Sequence, residues 1–230
     1  MKDMLTLQRT EVFGHRGWSA RYPENTMAAF ISALEIGVDG IEFDVHLTKD
    51  GEIVVIHDAN LERTTNGHGC VEDYTLTELR QLDAGSWFHE SFRGQVIPTL
   101  DEVLELVRLH IRPVKMNIEL KYGRTPYAGL GENVWRKVTA CGLASNTIIS
   151  SFNHFALRDL KRDVPQAQVA ILYTEGLVDP WRYAVFLDAE GLHPFHQSFD
   201  EEVVLDAHRA GRAVRPYTVN DVSIMKRLIQ

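Results

Sequence analysis

Short apolar strands and amphipathic helical stretches take turns along almost the whole chain, and few architectures tolerate that rhythm. Strands are expected at Val12–Gly14, Gly40–Leu47, Met116–Leu120, Thr147–Ser151, Val169–Tyr173, around Leu192-His193 and at Val214–Thr218. Helical stretches lie between them at Met27–Ile36, Leu100–Leu109, Asn133–Cys141, His154–Arg162, Pro180–Leu187 and Glu201–Ala210, and Asp221–Ile229 closes the chain. Repeated βα units imply a parallel sheet with helices outside, and this many favour an α/β fold of the TIM (β/α)8-barrel type over an open doubly wound sheet. Ile53–Ile56 follows the Lys49-Asp50-Gly51 turn and reads as a hairpin strand attached to the second strand. Seven barrel strands are then counted. An eighth requires either that the hairpin strand enters the barrel or that a last βα unit is absent from this sequence.

Two breaks in the rhythm are informative. From Asp58 to Gly94 the pattern is irregular, interrupted by Asn66, Gly67, Gly69, Gly85 and Gly94, and reads as an insertion of about 58–94 that covers something. One short helix is expected inside it, since Thr75 and Glu78 have capping-box spacing, and Thr99 and Glu102 repeat that spacing ahead of Leu100–Leu109. No linker or repeat of fixed period divides the chain, so residues 1–230 read as one domain with a cap.

The formal charge of −8, from 24 basic and 32 acidic residues, argues against a duplex nucleic acid partner or an anionic membrane surface. An anionic substrate would have to meet locally concentrated positive charge. Cys70 and Cys141 match no zinc or redox spacing and read as free thiols in a reducing compartment. Met1–Thr10 has no apolar core of signal-peptide length, and no stretch approaches the ~20 apolar residues of a membrane span, so the expected location is cytoplasmic.

Chemistry concentrates on the second and third parallel strands. In Ile41-Glu42-Phe43-Asp44-Val45-His46-Leu47, period two puts Glu42, Asp44 and His46 opposite the apolar residues. Asn117-Ile118-Glu119-Leu120-Lys121 repeats the design. In a parallel barrel the polar face points to the axis, where carboxylates are costly unless neutralised. Glu42, Asp44 and Glu119 are therefore candidate ligands for one divalent cation, Mg²⁺ or Ca²⁺, to which oxygen-only sets are suited. His15 ends the first strand and His57 ends the hairpin. Two histidines flanking an acidic cluster, with Arg16 and Lys121 nearby, describe a site for phosphoryl chemistry.

Gly14-His15-Arg16-Gly17, Pro23-Glu24-Asn25-Thr26, Gly40-Ile41-Glu42-Phe43-Asp44-Val45, Lys49-Asp50-Gly51 with Ile56-His57-Asp58, Pro98-Thr99-Leu100, Asn117-Ile118-Glu119-Leu120-Lys121, Ser150-Ser151-Phe152 and Thr218-Val219-Asn220-Asp221 occur together in one order. In that order and spacing the chain resembles the glycerophosphodiester phosphodiesterase family across essentially its whole length. The resemblance implies a TIM-barrel hydrolase that uses a divalent cation to release an alcohol and sn-glycerol 3-phosphate from a small glycerophosphodiester. It implies Glu42, Asp44 and Glu119 as metal ligands, His15 and His57 as the acid–base pair, and Arg16 and Lys121 as phosphate contacts. It places the hairpin strand in the loop after the second strand. Phe152, His193, Phe195 and Tyr217 are candidate pocket-lining residues. Two departures stand out: Tyr217 replaces a usual Trp, and no strand of Gly-Val-Asp-Gly-Ile type follows Gln230. Unpaired edges on the first and seventh strands are the expected result.

Each assignment has a plainer competitor. The carboxylates could form a structural charge network that Arg16 and Lys121 balance, and the histidines could bond backbone. Glu24 and Asn25 are equally compatible with reaching the site and with a helix-entry role beside Thr26. His46 is expected past the barrel mouth, exposed to solvent, and His196 at the surface. At the level of function, the competitors are a lysophospholipase D-type hydrolase on the same barrel and a non-catalytic phosphate-binding protein.

Overall fold

The structure, a computed structural model, describes residues 9–229. Its elements are β1 (Phe13–His15), α1 (Met27–Glu35), β2 (Gly40–Leu47), β3 (Ile53–Val55), α2 (Leu76–Leu79), α3 (Leu100–Leu109), β4 (Lys115–Leu120), α4 (Leu130–Ala140), β5 (Thr147–Ser151), α5 (His154–Asp163), β6 (Val169–Tyr173), α6 (Pro180–Phe186), β7 (Gly191–Pro194), α7 (Glu201–Arg209), β8 (Ala213–Val214) and α8 (Val222–Ile229). Strands β1, β2, β4, β5, β6, β7 and β8 are joined in that order, and every pairing along the path is parallel. The βα rhythm thus becomes a sheet of TIM-barrel type with helices outside. The hairpin strand β3 stays off that path and pairs antiparallel with β2 alone. Among the described residues, β1 and β8 each carry one unpaired edge.

Parity along the strands sorts the residues. Ile41, Phe43, Val45, Met116, Ile118, Ile149, Val169 and Ile171 face outward and form the main core with Phe30, Leu34, Leu100, Leu104, Val134 and Leu157 from the helices. The edge-on contact of Phe30 with Phe43, ring centroids 5.6 Å apart, sits between α1 and β2. The opposite parity carries the polar residues toward the barrel axis. Thr26, Thr75 and Thr99 cap α1, α2 and α3, the last two as full capping boxes.

The irregular segment 58–94 has its own small core of Leu61, Val71, Leu79 and Ala84, which closes over Val54, Ile56 and Ile97. It is tied to the barrel by Arg80, bidentate to Glu102 at 2.7 and 2.8 Å, and by Asp73, which accepts from Arg124 of the loop after β4.

The last strand departs from expectation. Val214–Thr218 reads as continuous strand, yet β8 stops at Val214. Pro216 has no N–H to donate, so the ladder lapses there and resumes only as a bridge between Phe195 and Tyr217. Helix α4 begins at Leu130, earlier than the expected Asn133, because Gly129 takes a left-handed conformation (φ 71°) that opens the helix.

The turn after β1 packs closely against α1. Gly17 has φ +80°, and a Cβ there would lie 2.6 Å from the carbonyl carbon of Ala29 in α1. Gly17→Ala is expected to cost about 1–3 kcal/mol by overpacking and a further ~1–2 kcal/mol for a left-handed alanine, read as a lower urea midpoint with an unchanged slope.

Candidate active site

Register explains why three carboxylates meet. Glu42 lies beside His15 of β1 and Asn117 of β4, and Asp44 lies beside Glu119. All three are buried, and one oxygen from each falls within 4.8 Å of the others. Burial and mutual repulsion act together on them. Glu42 is pushed well above the usual carboxylate range by burial and then by Asp44 and Glu119, and Glu119 is raised to about 7 by burial and Asp44. Asp44 goes the other way. Burial opposes its charge, but Lys121, His57, Arg16 and a hydrogen bond from Asn25 outweigh it and hold its carboxyl below the ordinary value.

The positive charges come from residues next to these strands. Lys121, just past β4, donates to Glu119 at 2.6 Å and has its Nζ 3.3 Å from Asp44 Oδ1. Arg16 lies in the turn after β1 with φ 56°, a strained conformation for a residue with a side chain. Its backbone N–H points at both the carbonyl and the carboxylate of Glu42, its Nε is 3.5 Å from Asp44, and its Nη1 donates to Glu24 at 2.9 Å. Asn25, also left-handed at φ 55°, donates to Asp44 Oδ2 at 2.8 Å. Glu24 and Asn25 therefore reach the site, and Thr26 alone caps α1.

The two histidines flank this cluster. His15 Nε2 is 3.9 Å from Glu42 Oε2 and 3.4 Å from Thr218 Oγ1, and burial followed by the Arg16 charge lowers its pKa to about 4. His57 is also lowered by burial, against the pull of Asp44. Its Nδ1 is 2.6 Å from Asp58 Oδ1. Burial works to raise Asp58, but hydrogen bonds from Arg63 and His57 hold it at about 2. An ionised Asp58 can only accept, so His57 carries its proton on Nδ1 and leaves Nε2 with a free lone pair.

His46 corrects the sequence reading. It is 1% exposed, enclosed by the hairpin and by the loop after β4. Nε2 lies 3.1 Å from the His57 carbonyl and Nδ1 lies 3.0 Å from the Tyr127 hydroxyl. The ring is neutral, its pKa lowered to about 4 chiefly by burial. Nε2–H must then donate to the carbonyl, and Tyr127 donates to Nδ1. His46 thus braces the backbone that carries His57.

The candidate lining residues separate into two groups. Phe152, Tyr217 and Phe195 form an aromatic wall, with ring centroids 5.9 and 6.3 Å apart. His193 lies deeper and is 3% exposed, a packed residue of β7 whose Nε2 has no hydrogen-bond partner. His196, expected at the surface, is half-buried with its ring 4.7 Å from that of Phe195. Sequence reasoning gave no role to Asp58, Arg63 or Tyr127. Asp58 had a signal in its place directly after His57, whereas Arg63 and Tyr127 had none.

The donor set fits a hard cation. Three carboxylate oxygens converge, and the buried Oδ1 atoms of Asp44 and Asn25 lack hydrogen-bond partners. Lys121, seated between Asp44 and Glu119, supplies charge of the same sign in the same place.

Residues 15–230 match the sequence profile of the glycerophosphoryl diester phosphodiesterase family. A glycerophosphodiester phosphodiesterase from Caldanaerobacter subterraneus subsp. tengcongensis is 46% identical over 222 residues, 96% of this chain and 90% of that protein. One from Bacillus altitudinis is 40% identical over the same shares. Among solved structures, an Oleispira antarctica phosphodiesterase in complex with the product sn-glycerol-3-phosphate superimposes with a TM-score of 0.83 at 34% identity, covering 96% of this chain and 89% of that one. A glycerophosphodiester phosphodiesterase from Agrobacterium tumefaciens gives 0.82 at 31%, covering 95% and 91%.

Because Glu119 has a pKa of about 7 before any cation binds, a cation must displace a proton below that pH. Apparent affinity for Mg²⁺ is expected to rise with pH by about tenfold per unit for each proton displaced, as Glu119 and the likewise raised Glu42 give up their protons. Calorimetric titration in two buffers of different ionisation enthalpy checks this, with proton release expected on the acid side.

Proposed function

Since the chain belongs to the glycerophosphoryl diester phosphodiesterase family and is a glycerophosphodiester phosphodiesterase, we propose that it hydrolyses small soluble glycerophosphodiesters to an alcohol and sn-glycerol 3-phosphate by histidine acid–base catalysis around one Mg²⁺ or Ca²⁺. The observation that carries the reading is the convergence of Glu42, Asp44 and Glu119 between His15 and His57. Glu42, Asp44 and Glu119 would hold the cation, which when bound supplies positive charge to the phosphoryl oxygens. Arg16 and Lys121 stand at the rim of the same cluster and bind the remaining phosphate charge.

His57 takes the proton from the attacking oxygen. Its free Nε2 lone pair accepts it, and Asp58 at Nδ1 stabilises the imidazolium that forms. His15 gives a proton to the departing alcohol oxygen as the phosphorus–oxygen bond breaks. In the substrate-free site burial and Arg16 outweigh Asp44 and Glu24 and hold its pKa at about 4, so it would carry that proton only beside the bound phosphate, whose negative charge favours the imidazolium. Phe152, Phe195 and Tyr217 offer an apolar face to the carbon skeleton of the substrate.

No helix among the described residues is long and apolar enough to cross a membrane. Cys70 and Cys141 are both free thiols. Comparison of glycerophosphocholine with lysophosphatidylcholine as substrates tests the substrate class.

His15→Ala and His57→Ala are each expected to lower kcat by about 10²–10⁴-fold while calorimetric Mg²⁺ binding is retained. Glu119→Gln is expected to weaken that binding. Undiminished release of glycerol 3-phosphate by both histidine variants would overturn the mechanism.

A further inference from the structure

The acid–base and phosphate-binding groups are joined by one residue outside the barrel strands. Arg63 lies in the first turn of the segment after β3, exposed, with no hydrogen bond to Glu42, Asp44 or Glu119. Its guanidinium grips two carboxylates. Nη1 and Nη2 donate to Glu24 Oε2 and Oε1 at 2.9 and 2.7 Å, while Nε and Nη2 donate to Asp58 Oδ2 and Oδ1 at 2.6 and 3.2 Å.

Each carboxylate has a second duty. Asp58 Oδ1 is 2.6 Å from His57 Nδ1, and Glu24 Oε1 accepts from Arg16 Nη1 at 2.9 Å. A continuous chain therefore runs His57, Asp58, Arg63, Glu24, Arg16. Both ends are groups that work on substrate, and the middle is a planar fork whose bond directions are fixed.

We propose that Arg63 is a positioning residue for the phosphodiesterase reaction, a bridge that sets the spacing between the His57 imidazole and the Arg16 guanidinium by holding Asp58 and Glu24 at once. The inference rests on the reading of His57 as proton acceptor and Arg16 as phosphate contact. Without Arg63, Asp58 and Glu24 are two like charges facing one another, and the chain falls into two halves. His57 could then turn about its own bonds independently of Arg16. Lysine cannot replace the bridge, because one ammonium on a flexible stem has no fork with which to grip two carboxylates bidentately.

The test is steady-state hydrolysis of glycerophosphocholine with Mg²⁺ by the wild type, Arg63→Lys, Arg63→Ala and His57→Ala, each checked by thermal melting and by Mg²⁺ titration. Arg63→Ala is expected to lose about 10²-fold in kcat, the scale of a small misplacement of reacting groups, with Mg²⁺ affinity unchanged. Millimolar guanidinium is expected to restore part of that kcat and none in His57→Ala. Arg63→Lys, which keeps the charge and the fold, is expected to remain at least about tenfold below wild type. Wild-type kcat in Arg63→Lys overturns the proposal, as does a loss in Arg63→Ala that tracks the unfolded fraction and is not rescued. Full activity in His57→Ala would instead overturn the underlying mechanism and the bridge with it. Loss in His57→Ala beside full activity in both Arg63 variants overturns the bridge alone.

Discussion

Three carboxylates buried side by side are the constraint on which the rest of the site depends. Glu42, Asp44 and Glu119 are set together by the register of β2 and β4, and in a low-dielectric interior their charges repel strongly. The surrounding residues answer that repulsion. Lys121 sits on two of the carboxylates, Arg16 turns both its backbone N–H and its guanidinium inward, and Asn25 donates to Asp44. Two of these residues, Arg16 and Asn25, hold left-handed backbone conformations to do so. On the proposed phosphate-binding role of Arg16 and Lys121, the same arrangement would let a protein of net charge −8 receive an anion, since positive charge need only be concentrated at one end of the barrel.

Beside that centre His57 is fixed from behind. His57 is held through its ring by Asp58 and through its carbonyl by His46, which Tyr127 in turn supports. Such backing restricts an imidazole to one tautomer and one orientation, and catalytic groups work only within narrow limits of placement. The barrel strands deliver residues to the mouth, and the loops lock them there.

How much could be read from the sequence follows from the range of the interactions. Glu42, Asp44 and Glu119 were legible because strand parity is local: residues two apart share a face, whatever the rest of the chain does. The attachment of the β3 hairpin to β2 was legible from turn chemistry and apolar periodicity, but its place outside the barrel, and with it the count of seven parallel strands, leaned on the family resemblance. The position of His46 was not. Its parity was read correctly, but its burial depends on Tyr127, 81 residues away, in a loop without periodicity. Arg63 meets Glu24 across 39 residues and stands in an irregular segment, where a single arginine carries no pattern. The early end of β8 shows the reverse error, since apolar residues on either side of Pro216 masked a break in the ladder.

The double grip of Arg63 also has a meaning for how such proteins diversify. The segment 58–94 is a natural place for variation, since it packs on its own small core beside the mouth. Yet its opening residues are bonded into the barrel: Asp58 to His57, and Arg63 to a glutamate that precedes α1. An exchange of this segment between relatives therefore has its seam after Arg63 rather than at the end of β3. Beyond that seam the segment can change as long as its other ties to the barrel, Arg80 to Glu102 and Asp73 to Arg124, are kept or replaced.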